Sequence, residues 1–288
     1  MGVKRRAFLI GGLALAGAGV FGIGWSGRSA RKAAMEAVLA KGEAGFSPWI
    51  KIAADGTTTL CSSHIDFGQG SQTALAQMAA DELDLAWGQI RVEQAPAIPG
   101  FANAALIEGF ANEFARGAGS WLPEALRSMI ARAAPFQLTG GSSAVRMTGQ
   151  LLMRKVAAAA RTALVAEAAE RLGVPVSELA TGEGVVSHAA SGRSLAYGEL
   201  DAGAAERALD SDPVLKVREQ WRFIGQSVPR FDIPAKVDGS AVYGIDVIVP
   251  GMRVGTVMMA PVRGGTLKAV DEAPALAVPG VEKVIRLE

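Results

Sequence analysis

The chain has 288 residues, 50% hydrophobic and 20% charged, with a formal net charge of +1. That apolar share suits one large or two ordinary domains and excludes general disorder, and the near-neutral charge gives no drive towards nucleic acid. A single cysteine, Cys61, excludes an internal disulfide and a self-contained iron–sulfur cluster, which takes about four thiolates. With only two histidines besides, far apart in sequence, no metal held directly by protein side chains is expected.

Charges stop at Arg6 and resume at Arg28. The basic start followed by a Gly/Ala-rich apolar run reads as an export signal over residues 1–27. Arg5-Arg6 followed by Phe8-Leu9 resembles a twin-arginine signal, which exports folded proteins. The run also reaches the ~20 residues that span a bilayer. An uncleaved signal serving as an inner-membrane anchor satisfies both readings, and the expected location is periplasmic. Residues 28–46 read as an exposed, partly helical linker.

Trp49–Ile52 and Thr57–Cys61 flank Asp55-Gly56, a hairpin signal. The second strand runs into His64-Ile65-Asp66-Phe67-Gly68-Gln69-Gly70-Ser71-Gln72-Thr73. Leu75, Met78, Ala79 and Leu83 then share one helical face. Two glycines let backbone approach a ligand closely. Gln69 can donate and accept, and Ser71 is a good N-cap before a turn of free N–H groups. This stretch is expected to cradle an anionic or polar cofactor; a bare turn would need the same residues. Asp66 is expected to hold the loop by accepting backbone N–H bonds, and His64 and His188 are read as structural.

Ile90–Glu93 alternates like a strand with one wet face. Residues 96–119 read as a long irregular loop, a lid or partner contact, and Trp121–Ala133 as a helix. Thr139-Gly140-Gly141-Ser142-Ser143 then opens the longest helical pattern, carried by Leu152, Val156, Ala159, Ala163 and Ala166, which stops at Gly173. Glycines and hydroxyls again sit where a helix presents its positive end. Neither loop matches a nicotinamide fingerprint or a P-loop, and no hydrolase elbow or paired zinc histidines are present. Residues 182–188 suggest a strand pair and Tyr197 starts a short helix. Residues 211–238 read as an extended connector with three prolines, and Val242–Val247, Arg253–Met259 and Val281–Leu287 as short strands.

Asp66-Phe67-Gly68-Gln69-Gly70-x-x-Thr73, Ala80-Asp81-Glu82-Leu83 and Thr139-Gly140-Gly141-Ser142-Ser143, in that order, resemble the molybdenum-binding large subunits of the xanthine oxidase and aldehyde oxidase family. The branch most similar is the isoquinoline 1-oxidoreductase β type. Residues 231–247, Phe231-Asp232-Ile233-Pro234-Ala235-Lys236-Val237-Asp238-Gly239-Ser240-Ala241 onward, resemble the start of that family's hammerhead domain.

The resemblance implies an α+β fold: part of a molybdenum-cofactor-binding domain (47–210), a connector (211–238) and the start of an α/β hammerhead domain (239–288). It implies molybdopterin, in plain or dinucleotide form. Gly68, Gln69, Gly70 and Thr73 would bind the cofactor from the first loop, and Thr139, Gly140, Gly141, Ser142 and Ser143 from the second. It implies hydroxylation of aldehydes or N-heterocycles with oxygen from water. Electrons would pass to a small [2Fe-2S] subunit and on to an acceptor such as cytochrome c. Relatives are more than twice this long, and nothing matches their catalytic glutamate, so no catalytic residue is assigned. The competing expectation is a non-catalytic, membrane-tethered binding or assembly module of the same fold.

Overall fold

The computed structural model describes residues 32–103, 106–107, 109–110, 137–207 and 212–287. The export segment, the helix expected at Trp121–Ala133 and most of the expected lid lie outside them. Among the described residues no helix is long and apolar enough to cross a membrane. The chain divides into two compact units, residues 1–239 and 240–288.

The first unit is built on a four-stranded sheet in the order β1-β2-β3-β4: β1 Glu43–Ser47, β2 Ile50–Ala53, β3 Thr58–Ser62 and β4 Ile90–Gln94. The β2–β3 hairpin turns at Asp55-Gly56, where the Thr57 amide bonds the Asp55 carboxylate at 2.8 Å. β3 and β4 are parallel, so a crossover must join them. That crossover contains helix α2, Ser71–Leu83. Leu75, Met78, Ala79 and Leu83 are all buried, with Leu60, Ile90 and Leu164 among the side chains of the same core. The expected linker is corrected here. Its expected helix is present at residues 32–38 (α1), but 43–47 are an edge strand rather than exposed linker. Ala34 on α1 is fully buried, and β1 adds its hydrogen bonds to the hairpin by pairing antiparallel with β2.

Lys51 on β2 is buried yet lies 3.0 Å from Glu43 and 3.1 Å from Glu93. Burial alone would lower its pKa, but the hydrogen bonds to both carboxylates outweigh that and raise it.

The second long helix begins as a π-helix over Ala144–Met153 and continues as α3, Arg154–Leu172, ending at left-handed Gly173. Gly149 allows α2 to press against it: a Cβ there would lie 2.4 Å from the Met78 sulfur. Beside α3 sit α4 (Tyr197–Ala205) and a small antiparallel sheet, β5 Leu179–Gly182, β6 Val185–His188 and β7 Arg193–Ala196. His188 bonds Ser191 Oγ at 2.7 Å and Glu178 Oε2 at 2.9 Å, pinning this hairpin through partners that the sequence reading did not connect to it.

Residues 212–231 are a strap lying antiparallel along α2. Glu82 accepts the Lys216 amide at 3.1 Å. The Asp81 carboxylate accepts the amides of Arg222, Phe223 and Ile224 at 2.8, 3.0 and 2.8 Å. Gln77 donates to the carbonyls of Phe223 and Gln226 at 2.6 and 2.9 Å, and Thr73 Oγ1 accepts the Phe231 amide at 3.4 Å. Trp87 packs against both Phe223 and Phe231, with ring centroids 5.5 and 5.1 Å away.

The second unit corrects a further expectation. Residues 242–247, 253–259 and 281–287 form no strands; the regular pieces are a turn at Gly244–Asp246 and a short helix at Ala273–Leu276. Ile245, Val254 and Met258 are more than nine-tenths exposed. β-branched composition yields a strand only where a neighbour supplies backbone partners and burial, and the described residues of this unit supply neither.

Glu82 is fully buried and meets Arg154 at 2.6 Å, so removing one partner strands a charge. Arg154→Met should therefore cost about 3–5 kcal/mol in denaturant unfolding. The double change Glu82→Leu with Arg154→Met should recover most of that loss.

Candidate functional site

The first loop joins β3 to α2. Gly68 and Gly70 take positive φ, 117° and 74°, which is why neither carries a side chain. Gly70, not Ser71, is the N-cap, because the chain must enter α2 through a left-handed residue. Ser71 is the first helical residue and is buried. The expected free N–H groups are also accounted for. Asp66 Oδ1 accepts from the Gly68 and Gly70 amides at 3.0 and 3.3 Å, and Oδ2 from Gln72 at 3.3 Å. A carboxylate of the chain itself thus occupies the positive end of α2.

Gln69 folds back across the loop. Its Oε1 accepts the Phe67 amide at 2.8 Å; its Nε2 donates to Ile65 O at 2.8 Å, to Ser71 Oγ at 2.9 Å and to Gly140 O at 3.5 Å. The last bond crosses to the second loop. Thr139 Oγ1 makes a second crossing by accepting the Ile65 amide at 3.2 Å. A third is His64 Nε2 to Thr148 Oγ1, 2.9 Å and buried. Eight of the nine candidate residues therefore lie on two loops joined side by side. Thr73 differs: it is buried one turn into α2 and is engaged by the strap.

The second loop keeps its donors. Among the described residues the Ser142 and Ser143 hydroxyls find no hydrogen-bond partner, and the loop amides precede the first helical bond, Val145 N to Gly141 O at 3.3 Å. The free positive end of a long helix, with two hydroxyls and two glycines, suits an anionic group such as a phosphate. Beside the loops, His64 Nδ1 and Ser63 Oγ are buried without partners among the described residues. Nothing described lies within 4 Å of where a Gly68 Cβ would stand, so that backbone is open to close approach. Among the described residues no three His, Cys, Asp or Glu side chains cluster to hold a metal ion. A metal here would have to bring its own ligands, as a dithiolene cofactor does. The donor set fits a pterin and its phosphate.

The sequence reading missed Arg230. Its Nη1 donates to Gly68 O at 3.0 Å and its Nη2 reaches Asp66 Oδ1 at 3.5 Å. Asp232 holds the same guanidinium at 2.9 and 2.7 Å. That contact and Lys236 keep the Asp232 carboxyl well below the usual carboxylate range.

Residues 15–97 match the molybdopterin cofactor-binding domain family. The chain carries a molybdopterin cofactor-binding domain. The match contains the first loop and α2 and ends before the second loop. The chain is 33% identical over 279 residues to the β subunit of isoquinoline 1-oxidoreductase from Brevundimonas diminuta, covering 85% of this chain and 32% of that one. It is 32% identical over 246 residues to a subunit of nicotinate dehydrogenase from Pseudomonas putida, covering 82% and 18%. It is 29% identical over 296 residues to the membrane-bound aldehyde dehydrogenase [pyrroloquinoline-quinone] of Gluconacetobacter polyoxogenes, covering 99% and 33%. The chain thus spans a third or less of the length of these relatives.

Burial lowers the His64 pKa to about 4 from an ordinary 6.5. A folded pKa below the unfolded one means that the unfolded chain takes the proton first. The stabilising contribution is complete above about pH 6.5 and is lost as pH falls towards 4, amounting to about 2–3 kcal/mol. The difference in unfolding free energy between wild type and His64→Gln should fall over that window. A pH-independent difference would contradict a buried neutral imidazole.

Proposed function

We propose that this chain is the cofactor-binding N-terminal part of a molybdopterin-dependent oxidoreductase subunit acting on aldehydes or aromatic N-heterocycles. The observation that carries the reading is the joining of the two loops, Gln69 to Gly140 and Ile65 to Thr139, beside a helix end whose hydroxyls and amides find no partner among the described residues. The names of the relatives, for isoquinoline, nicotinate and aldehyde oxidation, support the substrate class.

When bound, the cofactor supplies a two-electron redox centre and the site of oxygen transfer from water. The residues of this chain hold it. Gly140, Gly141, Ser142 and Ser143 present amides and hydroxyls to the pterin or its phosphate. Gly68 and Gly70 give close backbone approach, and Gln69 sets the spacing between the loops through its bonds to Ile65, Ser71 and Gly140. Buried His64 stays neutral and bonds Thr148 beside the loops. The family resemblance supports electrons leaving through a separate [2Fe-2S] subunit, with a cytochrome c as a fitting acceptor. Residues 1–27 deliver the folded chain to the periplasm and tether it at the inner membrane.

The site is tested by metal and pterin analysis. Ser142→Ala with Ser143→Ala should lower bound molybdenum and pterin at least about tenfold, the loss of roughly two hydrogen bonds at about 0.5–1.5 kcal/mol each, with unfolding stability unchanged. Full loading, or a quinone in place of molybdenum, would overturn this assignment.

Export is tested separately. With residues 1–41 fused to a reporter that works only when exported folded, Arg5→Lys with Arg6→Lys should abolish the signal. Unchanged export would favour a plain anchor.

A further inference from the structure

Arg230 stands more than 160 positions from the first loop and comes to it only because the strap is laid along α2. Its guanidinium makes three sets of contacts at once. It donates to the Gly68 carbonyl at 3.0 Å, reaches the Asp66 carboxylate at 3.5 Å and forks onto Asp232 at 2.9 and 2.7 Å. Asp66 is the same carboxylate that gathers the amides of Gly68, Gly70 and Gln72. Where a Gly70 Cβ would be built, the nearest atoms belong to Arg230, at 3.6 Å and beyond. The neighbouring residue adds its own tie, Phe231 N to Thr73 Oγ1, with the ring against Trp87.

We propose that Arg230 is a positioning residue for the cofactor cradle: the end of the strap fixes the Gly68–Gly70 turn, so cofactor retention depends on the strap being seated. The proposal rests on the cofactor reading of the two loops. The physical reasoning is local. A turn with two closely spaced demands for positive φ has little intrinsic preference for one shape. Asp66 orients the amides, but the Gly68 carbonyl points away from them and would be free to flip its peptide plane. A planar guanidinium that reaches the carbonyl and the carboxylate together locks both sides of the turn. Asp232 and Lys236 keep that fork aimed. A lysine at 230 could reach the carbonyl but could not fork onto two carboxylates as well. The design places control of the cradle on the connector that leads into the second unit, beyond Gly239.

The test uses Arg230→Gln and Arg230→Lys in the full-length subunit, read in two ways. Without cofactor, amide hydrogen exchange at Gly68, Gly70 and Gln72 should quicken about tenfold in the glutamine variant and less in the lysine variant. Exchange at Ala80 and Leu83, at the other end of α2, should stay unchanged. With cofactor, molybdenum and pterin should dissociate several-fold faster from the glutamine variant. Unchanged exchange at the three loop amides overturns the proposal, as does faster exchange at both ends of α2, which would mean general loosening. If exchange responds but cofactor loss does not, the reference is Ser142→Ala with Ser143→Ala. Loss there alone overturns the retention role of Arg230 and leaves the site standing. Loss in neither overturns the cofactor reading itself.

Discussion

Two fully buried carboxylates on α2, Asp81 and Glu82, dictate how the first unit is assembled. Burying a charge costs several kcal/mol unless it is paired and hydrogen-bonded. Asp81 is satisfied by three successive strap amides and Glu82 by Arg154 and the Lys216 amide. The Arg154 guanidinium, in turn, lies 5.3 Å from the Trp221 ring and bonds Gln150 and Lys216 O. Strap, α2 and α3 therefore cannot separate without leaving unpaired charge in an apolar setting. The stability of the strap is stored at positions 81 and 82, while its free end acts at positions 66 to 73.

The same pairing sets the register of the two long helices. Contacts between the two helices and the loops that enter them rise together in sequence: Gln69 with Gly140, Met78 against Gly149, Glu82 with Arg154. The helices thus run side by side in the same direction, and their N-terminal ends meet at the two loops. Parallel neighbours bring like dipole ends together, which is unfavourable unless negative charge sits between them.

Local pattern read well where the cause was local. The Asp55-Gly56 hairpin, the apolar face of α2, the alternation of β4 and the long helix up to Gly173 all follow from residues within a few positions of one another. So did the role of Asp66, whose amide partners are two to six residues away. What was invisible came from distant partners. β1 is strand only because β2 lies beside it, and 242–259 are not strand because no described partner lies beside them. The strap looked like bare connector because the bonds that seat it go to side chains 53 or more residues away. A signal was present: Asp81 and Glu82 are the charged residues of an otherwise uncharged helix, and Arg222-Phe223 and Arg230-Phe231 repeat a basic–aromatic pair. Such acids need amides or cations from elsewhere, and such pairs are suited to supply them.

The two loops look alike in sequence but differ in what their helix ends do. At the first, Asp66 consumes the amides of Gly68, Gly70 and Gln72, so this end carries its own anion and has none of its attraction left for another. At the second, no acid intervenes among the described residues, and Gly140 to Ser143 keep their amides and hydroxyls there. Had both ends been open, two like dipole ends would face each other across a flexible gap. Had both been capped, no attraction for an anionic ligand would remain. One capped end makes the first loop a rigid wall whose shape is set by glycines, Gln69 and Arg230. It also lowers the repulsion felt at the second, whose amides and hydroxyls suit an anionic group. The division of labour follows from a single residue type at position 66, with no counterpart in Thr139-Gly140-Gly141-Ser142-Ser143.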